Sequence, residues 1–104
     1  MNNMETVTMQ LIVNSGDAKS KAMEAIDCAK SGDFDGADKM LQEADDALSK
    51  AHEYQTDIIQ EEASGNIEKI TILMAHAQDH LMNAITFIDV AREFIDLYKK
   101  IYSK

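Results

Sequence analysis

The sequence predicts an all-α protein, an antiparallel three-helix bundle with a long C-terminal helix. Three observations predict it. Proline and Trp are absent and Gly occurs only 4 times in 104 residues, a mix that favours helix and lacks the turn residues of a many-stranded sheet. Apolar residues recur three and four positions apart through most of the chain, the period of one helix face. Two short Gly-containing breaks divide the chain into three segments, and connections that short make consecutive helices antiparallel neighbours. The length fits one domain, residues 1–104.

The first helix is expected over residues 4–30. Met4, Val7, Leu11, Ala18, Ala22, Ala25 and Ala29 supply its apolar positions. Asn14-Ser15-Gly16-Asp17 interrupts them with residues that prefer caps and turns. One long helix with a weak point at Gly16 is favoured over two short ones. Cys28 is the one cysteine, which excludes an intramolecular disulfide framework. With no flanking His or cation cluster it reads as a small buried hydrophobe on this helix.

Ser31-Gly32-Asp33 marks the first boundary. Gly32 suits the left-handed position that closes a helix, and Asp33 suits the N-cap of the next. The second helix, residues 34–62, has the apolar stripe Phe34, Ala37, Leu41, Ala44, Leu48, Ala51, Ile58 and Ile59. Its other face is acidic (Glu43, Asp46, Glu53, Asp57) and reads as a solvated face. His52, Gln55 and Thr56 share one side of it, either as a polar surface patch or as a cluster within an interface; spacing favours the patch. Ala63-Ser64-Gly65-Asn66 is the second boundary.

The third helix, residues 67–102, carries the strongest pattern. Positions 67, 70, 74, 77, 81, 84, 88, 91, 95, 98 and 102 are Ile, Ile, Met, Ala, Leu, Ala, Ile, Ala, Ile, Tyr and Tyr. That 3-4 alternation is the seam of a left-handed coiled coil. A second row lies beside it: Leu73, His76, His80, Asn83, Phe87, Val90, Phe94, Leu97 and Ile101. A helix apolar on more than one stripe is buried more deeply than a lone bundle requires. At about 1.5 Å per residue it is a rod of roughly 54 Å, so the bundle must be elongated. The excess apolar surface predicts a homo-oligomer with this helix nearest the symmetry axis. Periodicity does not give its order.

Charge narrows the partners. The net charge is −9, and residues 1–62 hold 14 Asp and Glu against 5 Lys. Nucleic acid and anionic membrane surfaces are poor partners for such a chain, whereas a basic protein would be steered to its first two thirds. With no signal segment at the N-terminus and no apolar run near 18 residues, a soluble cytoplasmic protein is expected, with no membrane insertion.

Within the third helix, Ala75-His76-Ala77-Gln78-Asp79-His80-Leu81-Met82 holds two of the three histidines. At about 100° per residue, His76 and His80 lie about 40° apart and Asp79 about 60° from His76. Gln78 is about 160° from His76, so cooperation between them needs Gln78 from a neighbouring subunit. Polar groups amid Leu73, Met74, Leu81 and Met82 are costly to bury unless bonded or used. Metal ligation, acid–base or nucleophilic chemistry at His76, a polar registry layer and a wet surface all remain open on spacing alone.

His76-Ala77-Gln78-Asp79-His80-Leu81-Met82 resembles the active-site stretch of enzyme IIA of the lactose/cellobiose (diacetylchitobiose) type from the bacterial sugar phosphotransferase system. Asn14-Ser15-Gly16-Asp17-Ala18-Lys19-Ser20, Gly32-Asp33-Phe34, Ala51-His52-x-x-Gln55-Thr56, Glu62-Ala63-Ser64-Gly65 and Ile95-Asp96-Leu97-Tyr98-Lys99 are similar too, in the same order. Ala75-His76-Ala77 stands where lactose-type members tend toward Met-His-Gly, which is nearer the cellobiose/chitobiose branch. The resemblance implies a homotrimer of three-helix subunits, a nine-helix bundle. It implies that His76 accepts a phosphoryl group from the phosphocarrier protein HPr and passes it to a cysteine of the sugar-specific IIB component. That flow energises uptake of a disaccharide of the cellobiose, chitobiose or lactose type. Asp79 is implied to hold one divalent cation per trimer on the threefold axis, usually magnesium. Gln78 is the candidate for phosphoryl stabilisation, and His80 for orienting His76 or Asp79. Two other readings remain: a non-catalytic helical adaptor or regulator, and a metal-binding helical bundle.

Overall fold

The computed structural model describes residues 3–104; the first two residues of the predicted 1–104 domain lie outside the described residues. Three helices follow one another: α1 (Asn3–Lys30), α2 (Phe34–Ala63) and α3 (Ile72–Tyr102). They form a rod of 58 × 18 × 18 Å.

α1 runs unbroken through the Asn14–Asp17 interruption. Tertiary packing overrides the local preference for a turn, because Ser15 occupies the core-facing position between Leu11 and Ala18 and is 1% exposed. Its hydroxyl has no hydrogen-bond partner among the described residues. Thr8 is equally buried but donates to the carbonyl of Met4 at 2.7 Å.

The first turn is built as its residues suggest. Gly32 has φ +79°, the amide of Asp33 donates to the carbonyl of Cys28 and that of Gly32 to Ala29. This pair of bonds closes a helix on a left-handed residue. The Asp33 carboxylate then accepts from the amide of Gly36 at 2.9 Å and caps α2. Gly65, φ +78°, closes α2 in the same way, with Asn66 bonded to Glu61 and Gly65 to Glu62.

α3 begins five residues later than periodicity predicts. Thr71 is extended and its hydroxyl accepts from the amide of Met74 at 3.1 Å, so a side-chain cap fixes the start. Ile67 still packs on the core from the connecting segment, whereas Ile70 is exposed. From Ala77 to Ile95 the predicted seam is the buried one: Ala77, Leu81, Ala84, Ile88, Ala91 and Ile95. α2 buries Ala37, Leu41, Ala44, Ala51 and Ile58 as expected, but Ile59 faces out.

Alanine sets the packing. Ala18, Ala22, Ala25 and Ala29 of α1 meet Ala37, Ala44, Ala47 and Ala51 of α2 and Ala77, Ala84 and Ala91 of α3 within three stacked core layers. Small side chains let helix axes approach closely, and the larger Leu11, Leu81, Ile88 and Ile95 fill what remains. α1 is the common partner, while α2 and α3 meet over less of their length. Arg92 of α3 reaches Asp45 of α2 with one guanidinium nitrogen 2.6 Å from both carboxylate oxygens. At the far end Tyr102 stands edge-on to Phe34 and donates to the carbonyl of Lys30 at 2.6 Å, tying the end of α3 to the first turn.

The second row of α3 is half bare. Val90, Phe94, Leu97 and Ile101 are 44%, 46%, 52% and 55% exposed. One bundle therefore leaves an apolar stripe uncovered along the outer side of its last helix. No described helix is long and apolar enough to cross a membrane.

Candidate functional site

The polar stretch of the third segment lies in the first three turns of α3, beyond the cap at Thr71. Ala77 and Leu81 are fully buried and anchor this part of the helix against Leu11 and Ala51. That packing fixes which way the intervening polar residues project. His76, Gln78 and Asp79 are exposed and His80 is half-buried.

His76 and His80 come together. Their Nε2 atoms are 3.0 Å apart, and the rings stand edge-to-face with centroids 4.5 Å apart. One ring must donate and the other accept, so only one of the two facing nitrogens carries a hydrogen. The pair orients the His76 ring; with His76 as donor through Nε2, its Nδ1 keeps a free lone pair, whereas with His76 as acceptor its one lone pair is engaged by His80. Among the described residues His80 makes no bond to Asp79, so of its two expected partners the structure selects His76.

Gln78 points elsewhere. It faces α2, where Gln55 Nε2 donates to Gln78 Oε1 at 2.9 Å. No hydrogen bond joins Gln78 to His76 among the described residues, as their separation around the helix requires. Gln55 and Gln78 stand on the rim of a cleft of about 280 Å³ between α2 and α3. Leu11 lies in it, with Ile58, Ile59, Ile70 and Met74 as its walls; Ile59 and Ile70, unburied despite their periodicity, belong here. Among the described residues, only Gln55 of the polar trio on α2 hydrogen-bonds to another helix. Thr56 bonds the carbonyl of His52 at 2.9 Å within α2, and the His52 side chain is exposed.

Spacing alone leaves Gln55 in a surface patch, and the family resemblance gives it, with His52 and Thr56, weight as a supporting polar cluster without saying what it contacts. Helical periodicity relates residues within one element, and Gln55 meets Gln78 across 23 positions and two helices. Its only sequence signal was its place in the Ala51-His52-x-x-Gln55-Thr56 match.

Asp79 projects on the same side of α3 as the bare apolar stripe. At about 100° per residue, Asp79, Asn83, Val90, Phe94, Leu97 and Ile101 fall within about 60° of one another. Among the described residues no three His, Cys, Asp or Glu side chains converge on a point that would hold a metal ion. A cation at Asp79 would need carboxylates from further copies of the chain.

The arrangement offers an oriented imidazole at an exposed surface, an amide fixed by a neighbouring helix, and a carboxylate within an apolar stripe. Its likeness to known proteins is close. The model of the phosphotransferase system lactose/cellobiose-specific IIA subunit matches residues 6–99. The lichenan-specific phosphotransferase enzyme IIA component of Bacillus subtilis is 56% identical over 98 residues, 94% of this chain and 89% of that protein. The crystal structure of the cellobiose-specific enzyme IIA from Bacillus anthracis superimposes with a TM-score of 0.95 at 51% identity, covering 100% of this chain and 95% of that one. The IIA(Chitobiose) chain of Escherichia coli, in solution structures of its complex with HPr, matches with a TM-score of 0.85 at 37% identity, over 98% and 99% of the two chains. The chain belongs to the lactose/cellobiose-specific IIA family of the phosphotransferase system.

Proposed function

We propose that this chain is a phosphohistidine carrier in which His76 takes a phosphoryl group from HPr and hands it to a IIB component. The observation that carries the reading is the His76–His80 pair on the exposed side of α3, in a family one of whose members is seen bound to HPr. Phosphoryl transfer asks little of a protein beyond an in-line nucleophile and donors for the equatorial oxygens. His76 supplies the nucleophile, a neutral ring nitrogen with a lone pair. A nitrogen–phosphorus bond to the donor histidine breaks as the one to His76 forms. The acceptor ring gains the positive charge that the donor ring gives up, so no co-reactant is needed.

His80 holds the His76 ring in place. Gln78 acts on the phosphoryl oxygens of a neighbouring copy, because it lies on the wrong side of α3 for its own His76. The role of Gln78 calls for an oligomer, and the bare stripe on α3 supports one. We take it to be a trimer with α3 against the threefold axis. Asp79 lies on that stripe, so three carboxylates would crowd the axis and repel. Three Asp79 side chains would hold a hard divalent cation such as magnesium, whose charge offsets that repulsion. The sugar served is a disaccharide of the cellobiose, chitobiose or lactose type, as the named relatives suggest, and the carrier works in the cytoplasm.

Incubation with phosphoenolpyruvate, enzyme I and HPr tests the reading. Acid-labile phosphoryl should appear on the chain and move on when a cognate IIB is added. A chain that takes no label under these conditions is an adaptor, and the proposal fails.

A further inference from the structure

The bond from Gln55 of α2 to Gln78 of α3 has a direction. Gln55 Nε2 donates and Gln78 Oε1 accepts, at 2.9 Å. A glutamine side chain carries one acceptor end and one donor end. Holding the carbonyl of Gln78 inward against α2 turns its NH₂ group outward. Phosphoryl oxygens accept hydrogen bonds and never donate them in the dianion, so an outward NH₂ is the useful end and an outward carbonyl would repel. Gln78 is exposed, and an exposed amide without such a partner would sample both orientations.

We infer that Gln55 is a positioning residue that fixes the polarity of the Gln78 amide, presenting its NH₂ to the phosphoryl group in transit. The inference rests on the proposed role of Gln78. Gln55 sits on a helix with an independent hold on the core, through Ala51 one turn before it and Ile58 one turn after. The donor is therefore anchored by α2, and α3 need not distort to keep it. Because Gln55 acts only through Gln78, its effect should vanish when Gln78 is removed.

A double-mutant cycle on the rate of phosphoryl transfer from phospho-HPr tests this. Gln55→Met keeps length and bulk but removes the donor. It should slow transfer about threefold to tenfold, the usual worth of one hydrogen bond, with the apparent KM for phospho-HPr unchanged. Gln78→Ala should slow transfer at least as much, and Gln55→Met with Gln78→Ala should be no slower than Gln78→Ala alone. Gln55→Lys, which still donates, should recover most of the rate. All four variants should keep wild-type helicity and melting temperature, since both side chains lie outside the core. If Gln78→Ala is slow and Gln55→Met transfers at the wild-type rate, the positioning role is wrong and the role of Gln78 stands. If Gln78→Ala is itself unimpaired, the role of Gln78 is wrong. Additive losses in the double variant would mean that Gln55 acts by another route, and would equally overturn the inference.

Discussion

Nε2 of His76 lies 3.0 Å from Nε2 of His80, with the two ring planes 86° apart. The four-residue spacing puts both rings on adjacent turns of α3, and the edge-to-face setting lets one ring direct the other. His80→Ala should therefore leave His76 able to accept phosphoryl but less well aimed. Transfer should fall by about fivefold to tenfold, the effect of one lost hydrogen bond. Stopped-flow or quench measurements with phospho-HPr would read it, and an unchanged rate would remove His80 from the account.

The bare stripe of α3 makes a second prediction. Phe94 is 46% exposed and stands midway along Val90, Phe94, Leu97 and Ile101. Fully burying a large apolar side chain stabilises by about 1.5–3 kcal/mol, and with roughly half of Phe94 left to bury each copy in an assembly contributes about 1 kcal/mol. Phe94→Glu should replace that gain with a buried charge and give monomers that keep their helicity. Sedimentation or light scattering would show the loss of mass. A variant with the mass of the wild type would mean that the stripe is not the interface.

Asp79 lies on the same side of α3, which sharpens the expectation for its removal. Asp79→Leu takes away the repulsion between carboxylates and any need for a cation. The assembly should survive chelator at least as well as wild type does. Dissociation of this variant to monomers would show that the ion bridge itself holds the copies together.

Two adjacent residues of α1 should be improvable. The buried Ser15 hydroxyl has no partner among the described residues, and an unmatched buried polar group costs about 1–3 kcal/mol. Beyond its own helix backbone, a Cβ added to Gly16 would meet no atom of the described residues within 4 Å, and Gly in a helix interior costs about 1 kcal/mol relative to Ala. Ser15→Ala and Gly16→Ala should each stabilise by about 1 kcal/mol, raising the melting temperature by about 4–8 °C for a chain of this size. Calorimetry would check both. Destabilisation by Ser15→Ala would show that its hydroxyl is bonded in solution.

Much of this fold is legible in the sequence because its signals are local. Gly32 and Gly65 end helices through their own backbone freedom, Asp33 caps through its own side chain, and the seam from Ala77 to Ile95 is one helix's period. The failures arise where a different force decides. Ile67 and Ile70 extend the periodic pattern, yet the Thr71 cap stops the helix at Ile72. Ser15 looks like a break but is held in the core by the helices around it. Ile59 looks buried but lines a cleft. At the site, the His76–His80 pairing follows from spacing, and so does the turning away of Gln78. The bond from Gln55 does not, since no periodicity within one helix reports contacts between two.

The central claim is that His76 carries the phosphoryl group. Its most direct test is labelling by phosphoenolpyruvate, enzyme I and HPr, with wild type and His76→Ala compared side by side. Wild type should take one acid-labile phosphoryl group per chain and His76→Ala none, with both proteins equally helical. Label on His76→Ala at the wild-type level would contradict the account.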